Sequence, residues 1–198
     1  MSPLALRDAL ERLKAVRTDR DVIVTTMGAA RDWMAMGPLH PLDFVLVPSS
    51  MGQATSLGLG LALARPDLRV IVVNGDGSML MNLGSLVTIA GLKPANLVVI
   101  VGVNGAYEVT GAQPTPGVAA GTDFMAVAKG CGIEEVHHVD RADRWERALP
   151  DLLHRAGPVF IQLDIDVVPG GAGPRSPGPA GERARAFMAA LPPAPVVA

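Results

Sequence analysis

Residues 69–111 read RVIVVNGDGSMLMNLGSLVTIAGLKPANLVVIVGVNGAYEVTG, and this stretch decides the fold. Val70–Asn74 is an apolar run that passes through Gly75-Asp76-Gly77-Ser78 into a helix-compatible pattern over Leu80–Gly91. A second run, Leu97–Val103, ends in Asn104-Gly105. Strands that are apolar on both faces belong to parallel sheets covered by helices on each side. The same alternation extends outward in both directions. Further runs lie at Val22–Thr26, Phe44–Val47, Glu135–Val139 and Val159–Asp164. Helix-compatible stretches fall at Pro3–Val16, Ala29–Met36, Gly52–Ala64, Phe124–Gly130 and Ala142–Ala156. The pattern predicts an α/β domain over residues 1–166, with a doubly wound, mainly parallel six-stranded sheet and helices on both faces.

Residues 167–198 have a different texture. VVPGGAGPRSPGPAG, at 167–181, holds five glycines and four prolines, which opposes regular structure. A short amphipathic helix is expected near 182–191, with Phe187 and Met188 on one side.

Composition narrows the function. A chain of 198 residues with 49% hydrophobic content is enough for one domain with a sizeable core. The longest apolar run, LVVIVGV at 97–103, is too short to span a bilayer. The N-terminal MSPLALRDALERLKAVR reads as an amphipathic helix, not a signal peptide. Net charge is −2 without a basic stripe, which argues against nucleic acid. A lone Cys131 makes no internal disulfide and holds no iron–sulfur cluster. We expect a reducing cytoplasm, a buried and inert Cys131, and surface or structural roles for His137 and His138.

The chemistry gathers where the two central runs end. In open α/β sheets ligands sit at the carboxyl ends of strands, beside helix N-termini. Gly75 and Gly77 let the backbone turn sharply beside Asp76. Adjacent strands would bring Asp76 and Asn104 to one crevice. Two hard oxygen donors suit Mg²⁺ or Ca²⁺ rather than zinc. Mg²⁺ held this sparsely completes its shell with phosphate oxygens and water, so the pair asks for a diphosphate. The N–H groups of Gly77 and Ser78 would face that charge. Taken alone, GDGS is also an ordinary turn.

Gly75-Asp76-Gly77, then 25 residues, then Val103-Asn104, resembles the GDG…NN motif of thiamine diphosphate enzymes, with Val at the first Asn. The resemblance implies that Asp76 and Asn104 bind Mg²⁺ by their side chains and Ala106 by its carbonyl. Ser49-Ser50-Met51-Gly52 stands at the spacing of the family's pyrimidine loop. It implies that Met51 is the apolar wedge holding the cofactor bent, with Ser49 and Ser50 in the same loop.

SMGQATSLGLGLALARPDLRVIVVNGDGSMLMNLGSL and NGAYEVTGAQPT look like the decarboxylases of sulfopyruvate and phosphonopyruvate. By that resemblance Gly28 and Ala29 offer backbone donors to the diphosphate. Ala30 stands where the family often has Ser, and Arg31 faces the diphosphate or a partner subunit. Tyr107 would contact the cofactor; Glu108 and Gln113 are the candidate catalytic groups over it.

Such enzymes also need a domain whose glutamate activates the pyrimidine, and neither Glu11 nor Glu108 fits that role. The resemblance therefore implies a diphosphate-binding, β-type subunit. It would pair in a hetero-oligomer with a pyrimidine-binding, α-type subunit and decarboxylate a small 2-oxo acid. The alternatives are a non-catalytic cofactor-binding module, or a subunit of a thiamine-dependent oxidoreductase or synthase.

Overall fold

The computed structural model describes residues 4–46, 51–168 and 176–194. In chain order the elements are α1 (Leu6–Val16), β1 (Asp21–Thr26), α2 (Met27–Ala35), β2 (Asp43–Leu46), α3 (Ala54–Ala64) and β3 (Arg69–Gly75). Next come α4 (Asp76–Leu80), α5 (Gly84–Leu92), β4 (Leu97–Val103), and a small hairpin of β5 (Ala106–Tyr107) and β6 (Gln113–Pro114) around a 3₁₀ turn at Glu108–Thr110. The remainder is α6 (Pro116–Ala120), α7 (Phe124–Gly130), β7 (Glu135–Val139), α8 (Ala142–His154), β8 (Val159–Asp164) and α9 (Ala180–Ala190).

Six strands form one sheet in the order β2-β1-β3-β4-β8-β7, every neighbouring pair parallel. This is the doubly wound sheet the apolar runs predict. Alternate residues of each strand feed two separate cores. Ile23, Ile71, Val73, Ile100 and Ile161 pack with Leu13 of α1, Trp33 of α2 and Trp145 of α8. Val22, Val24, Val72, Val99 and Phe160 pack with Leu59 of α3, Leu86 of α5, Ala128 of α7 and Phe187 of α9. Each such buried aliphatic or aromatic side chain contributes about 1.5–3 kcal/mol of transfer free energy.

The amino edge of the sheet is fastened by charge. Arg69 forks onto Asp21 at 2.7 Å (Nε) and 2.5 Å (Nη2), and its Nη1 donates to the Leu153 carbonyl at 2.9 Å. Arg17 pairs with Asp43, whose second oxygen accepts from Trp33 Nε1 at 2.8 Å. The carboxyl edge is left to the loops. From β1 the chain runs through α2 to β2 on one side, while β3 lies on the other side of β1. The helices after β1 and β3 also pack on opposite faces. Such a switch point opens a crevice between the two strand ends.

Several elements differ from the sequence expectation. The GDGS segment read as a turn forms the short helix α4, and the helix expected over Leu80–Gly91 is α5, which starts only at Gly84 after a tight turn at 81–83. There Asn82 spends its amide on the Gly52 carbonyl (2.8 Å) and Ser56 Oγ (3.1 Å). Helix α2 starts at Met27, two residues earlier than expected. In α9, Phe187 is buried at 6% exposure while Met188 is 69% exposed, so the two do not share a face. Consecutive helical residues lie about 100° apart, which separates them. Cys131 is half-buried. Among the described residues no helix is long and apolar enough to cross a membrane.

Candidate functional site

The crevice at the switch point encloses about 600 Å³, counting space open to solvent. Its floor is the carboxyl ends of β1, β3 and β4, and its walls come from the starts of α2 and α4, Met51 and the β5 hairpin. Register sets the geometry: Gly75 of β3 lies beside Gly102 of β4, so Asp76 and the Asn104 loop emerge next to each other.

Asp76 is 3% exposed. Its Oδ1 accepts from the N–H of Gly77 at 2.7 Å and its Oδ2 from the N–H of Gly105 at 2.8 Å. Gly105 reaches this position with φ at +73°, a conformation that favours glycine. Asn104 Oδ1 accepts from the N–H of Ala106 at 2.9 Å. The ring of Tyr107 lies against Gly77, where any side chain would collide with it.

Burial pushes the Asp76 carboxyl above its ordinary range; the Gly77 and Gly105 N–H groups pull it back, and nearby Glu108 pushes it up again. Asp32 is raised chiefly by burial, with Arg7 lowering and Glu108 raising it. Asp76 and Glu108 are the acids that line the crevice, and among the described residues no Lys or Arg lines it.

Met51 is held by its neighbour. The Gly52 N–H donates to Ser78 Oγ at 2.9 Å, and the Gly52 carbonyl accepts from Asn82 Nδ2 at 2.8 Å. Both anchors come from the α4–α5 segment, so the turn bearing Met51 is fixed to the segment bearing Asp76.

Of the residues singled out in the sequence, Gly28, Ala29, Met51, Gly75, Asp76, Gly77, Ser78, Asn104, Ala106, Tyr107 and Glu108 all line this crevice. Ser49 and Ser50 lie outside the described residues. Gln113 and Arg31 are not among the lining residues. The Gln113 amide is exposed and turned onto Thr110, donating to its carbonyl at 2.8 Å. Glu108 lines the crevice with its carboxylate engaged: Oε1 accepts from the N–H of Val168 at 2.6 Å, and Oε2 lies near Gly28. The Gly77 N–H, expected to face a ligand, is taken by the Asp76 carboxylate.

The sequence reading missed Thr26, Met27 and Asn74, which also line the crevice. Asn74 carried a legible signal, a polar side chain closing an apolar strand. It is buried, donating to Thr55 Oγ1 at 3.2 Å.

These residues fit a metal-bound diphosphate. Oxygen donors of Asp76 and Asn104 suit a hard dication, which in turn offsets the negative character that an anionic ligand would otherwise meet. The hydroxyl of Thr26 is buried with no partner among the described residues.

Fold and crevice together suit a domain that holds a diphosphate through a hard dication. Residues 24–163 match the family described as thiamine pyrophosphate enzyme, C-terminal TPP binding domain, and the chain belongs to it. Among its relatives is the sulfopyruvate decarboxylase subunit beta of Methanothermobacter thermautotrophicus, 39% identical over 83% of each chain. The phosphonopyruvate decarboxylase of Streptomyces hygroscopicus is 40% identical over 79% of this chain, which spans only 38% of that enzyme's length. A solved structure from Mycobacterium smegmatis, provisionally assigned as a thiamin diphosphate-dependent enzyme, superposes with a TM-score of 0.68 at 23% identity. The match covers 85% of this chain and 32% of the other, and it shows the shared fold.

Proposed function

We propose that the chain is the diphosphate-binding subunit of a two-subunit, thiamine diphosphate-dependent decarboxylase acting on a small 2-oxo acid with a second anionic group, sulfopyruvate or phosphonopyruvate. The observation that carries this reading is the pairing of buried Asp76 with Asn104 at adjacent strand ends, beside Met51 in the same crevice. Asp76, Asn104 and the Ala106 carbonyl would hold Mg²⁺, with Gly28, Ala29, Ser78 and Tyr107 around the diphosphate. Met51 would press on the cofactor between its rings. Ser49 and Ser50 complete that loop in the proposal, and Glu108 and Gln113 are the chain's candidate groups toward substrate. Bound thiamine diphosphate supplies the electron sink for loss of CO₂.

The two-subunit arrangement is supported by the relative named as a beta subunit, which matches this chain over 83% of its own length. The partner would supply the glutamate that activates the pyrimidine. It would also supply most of the site for the second anion, since among the described residues no Lys or Arg lines this crevice. Such an assembly would work in a reducing cytoplasm.

Decarboxylation of sulfopyruvate, phosphonopyruvate and pyruvate, measured with Mg²⁺ and thiamine diphosphate with and without an α-type partner, tests the proposal. Activity only with the partner, and only on the anionic substrates, is expected. Turnover by this chain alone would refute the split site, and a preference for pyruvate would refute the substrate class.

A further inference from the structure

We infer that the hydroxyl of Thr26 is a side-chain donor to the cofactor's diphosphate. This inference rests on the cofactor reading above. Thr26 ends β1 and is 1% exposed, and its Oγ1 has no hydrogen-bond partner among the described residues. A buried hydroxyl without a partner is unfavourable, and such groups in native structures call for an explanation.

Thr26 is also the N-cap residue of α2, where a threonine ordinarily accepts from an N–H of the first helical turn. Here it makes no such bond. Met27, next in the chain, enters the helix with φ at +52°, a left-handed conformation that a methionine rarely adopts. The entry thus leaves the Thr26 hydroxyl unspent by its own helix, and both residues line the crevice that holds Asp76 and Asn104. A nine-residue helix then begins there, and its first N–H groups favour an anion. Strained backbone held at a ligand site is a recurrent device for aiming groups before the ligand arrives.

Ala30 brings no side-chain hydroxyl to the first turn of α2, and the Gly77 N–H is already committed to Asp76. Thr26 would be the side chain of the β1–α2 junction that reaches the phosphate oxygens, alongside the N–H groups of Gly28 and Ala29.

Thr25 provides an internal control. Its hydroxyl is equally buried and equally unpartnered, yet by strand alternation it faces the other core and does not line the crevice. The experiment is titration calorimetry of Mg²⁺–thiamine diphosphate, and separately of Mg²⁺–pyrophosphate, into wild type, Thr26→Val, Thr26→Ser and Thr25→Val. Melting temperatures of the cofactor-free chains are measured alongside.

Thr26→Val is expected to weaken both ligands by roughly tenfold to a hundredfold, the range for a hydrogen bond to a charged group. It should not lower the melting temperature of the cofactor-free chain. Thr26→Ser should restore binding, and Thr25→Val should bind as wild type does. Unchanged affinity in Thr26→Val overturns the inference. So does a loss for thiamine diphosphate that spares pyrophosphate, or a fall in cofactor-free melting temperature, which would mark a structural role. Wild type that binds neither ligand, alone or assembled with the α-type partner, would instead refute the cofactor reading itself.

Discussion

Asp76 is a carboxylate placed where ionisation is costly. Burial raises its pKa, two backbone N–H groups lower it, and Glu108 raises it again. A metal ligand must be deprotonated, so protons compete with Mg²⁺ at this residue. The sign follows: affinity for Mg²⁺–thiamine diphosphate is full well above the raised pKa and is lost as pH falls through it. We predict that calorimetric affinity declines on acidification before the ordinary carboxylate range is reached, approaching about tenfold per pH unit, with proton release on binding. A profile that stays flat until the ordinary carboxylate range is reached would contradict the upward shift of Asp76.

At this scale the sequence was readable where a polar residue closed an apolar run, as with Asp76 and Asn104. Thr26 escaped notice because threonine is an ordinary strand residue. Its lack of a partner, like the positive φ of Met27, is a property of three dimensions.

The elements explain how the crevice is assembled. The turn between α4 and α5 is the clearest case, since its Asn82 amide and the Ser78 hydroxyl grip both polar groups of Gly52. Asn82→Ala should free the turn that carries Met51 while leaving both cores intact. The expected result is cofactor affinity reduced by roughly threefold to tenfold, with a stability loss near the ~1 kcal/mol typical of one hydrogen bond. Calorimetry and thermal melts check the two parts; unchanged affinity would mean that Met51 is positioned otherwise.

Periodicity gave most strands to within a residue or two, because their apolar runs are long and uninterrupted. It began the helix of α5 too early, at Leu80, since MNLGSL carries no proline and the turn before Gly84 is fixed by a side chain reaching 30 residues back in the chain. The two-residue strands of the β5 hairpin are likewise too short for any periodic signal.

The whole molecule divides its tasks between the two edges of the sheet. Strand order was not legible in the sequence, because apolar runs say that strands are covered and not which ones adjoin. The order β2-β1-β3 is what places the crevice between Thr26 and Asp76. At the opposite edge the Arg69–Asp21 fork joins β1, β3 and the end of α8. Asp21 is 1% exposed, so its removal leaves a largely buried guanidinium unpaired. Asp21→Ala is predicted to cost about 3–5 kcal/mol in denaturant unfolding. The folded fraction should still bind Mg²⁺–thiamine diphosphate with wild-type affinity, and a large affinity loss would deny the separation of edges.

The central claim is that Asp76 anchors the cofactor through a metal at the end of β3. It is tested most directly by titrating thiamine diphosphate into wild type and Asp76→Ala, with Mg²⁺ and with excess chelator. The account predicts Mg²⁺-dependent binding by wild type and at least about a hundredfold weaker binding by Asp76→Ala, indifferent to the metal. Undiminished, Mg²⁺-dependent binding by Asp76→Ala would contradict it.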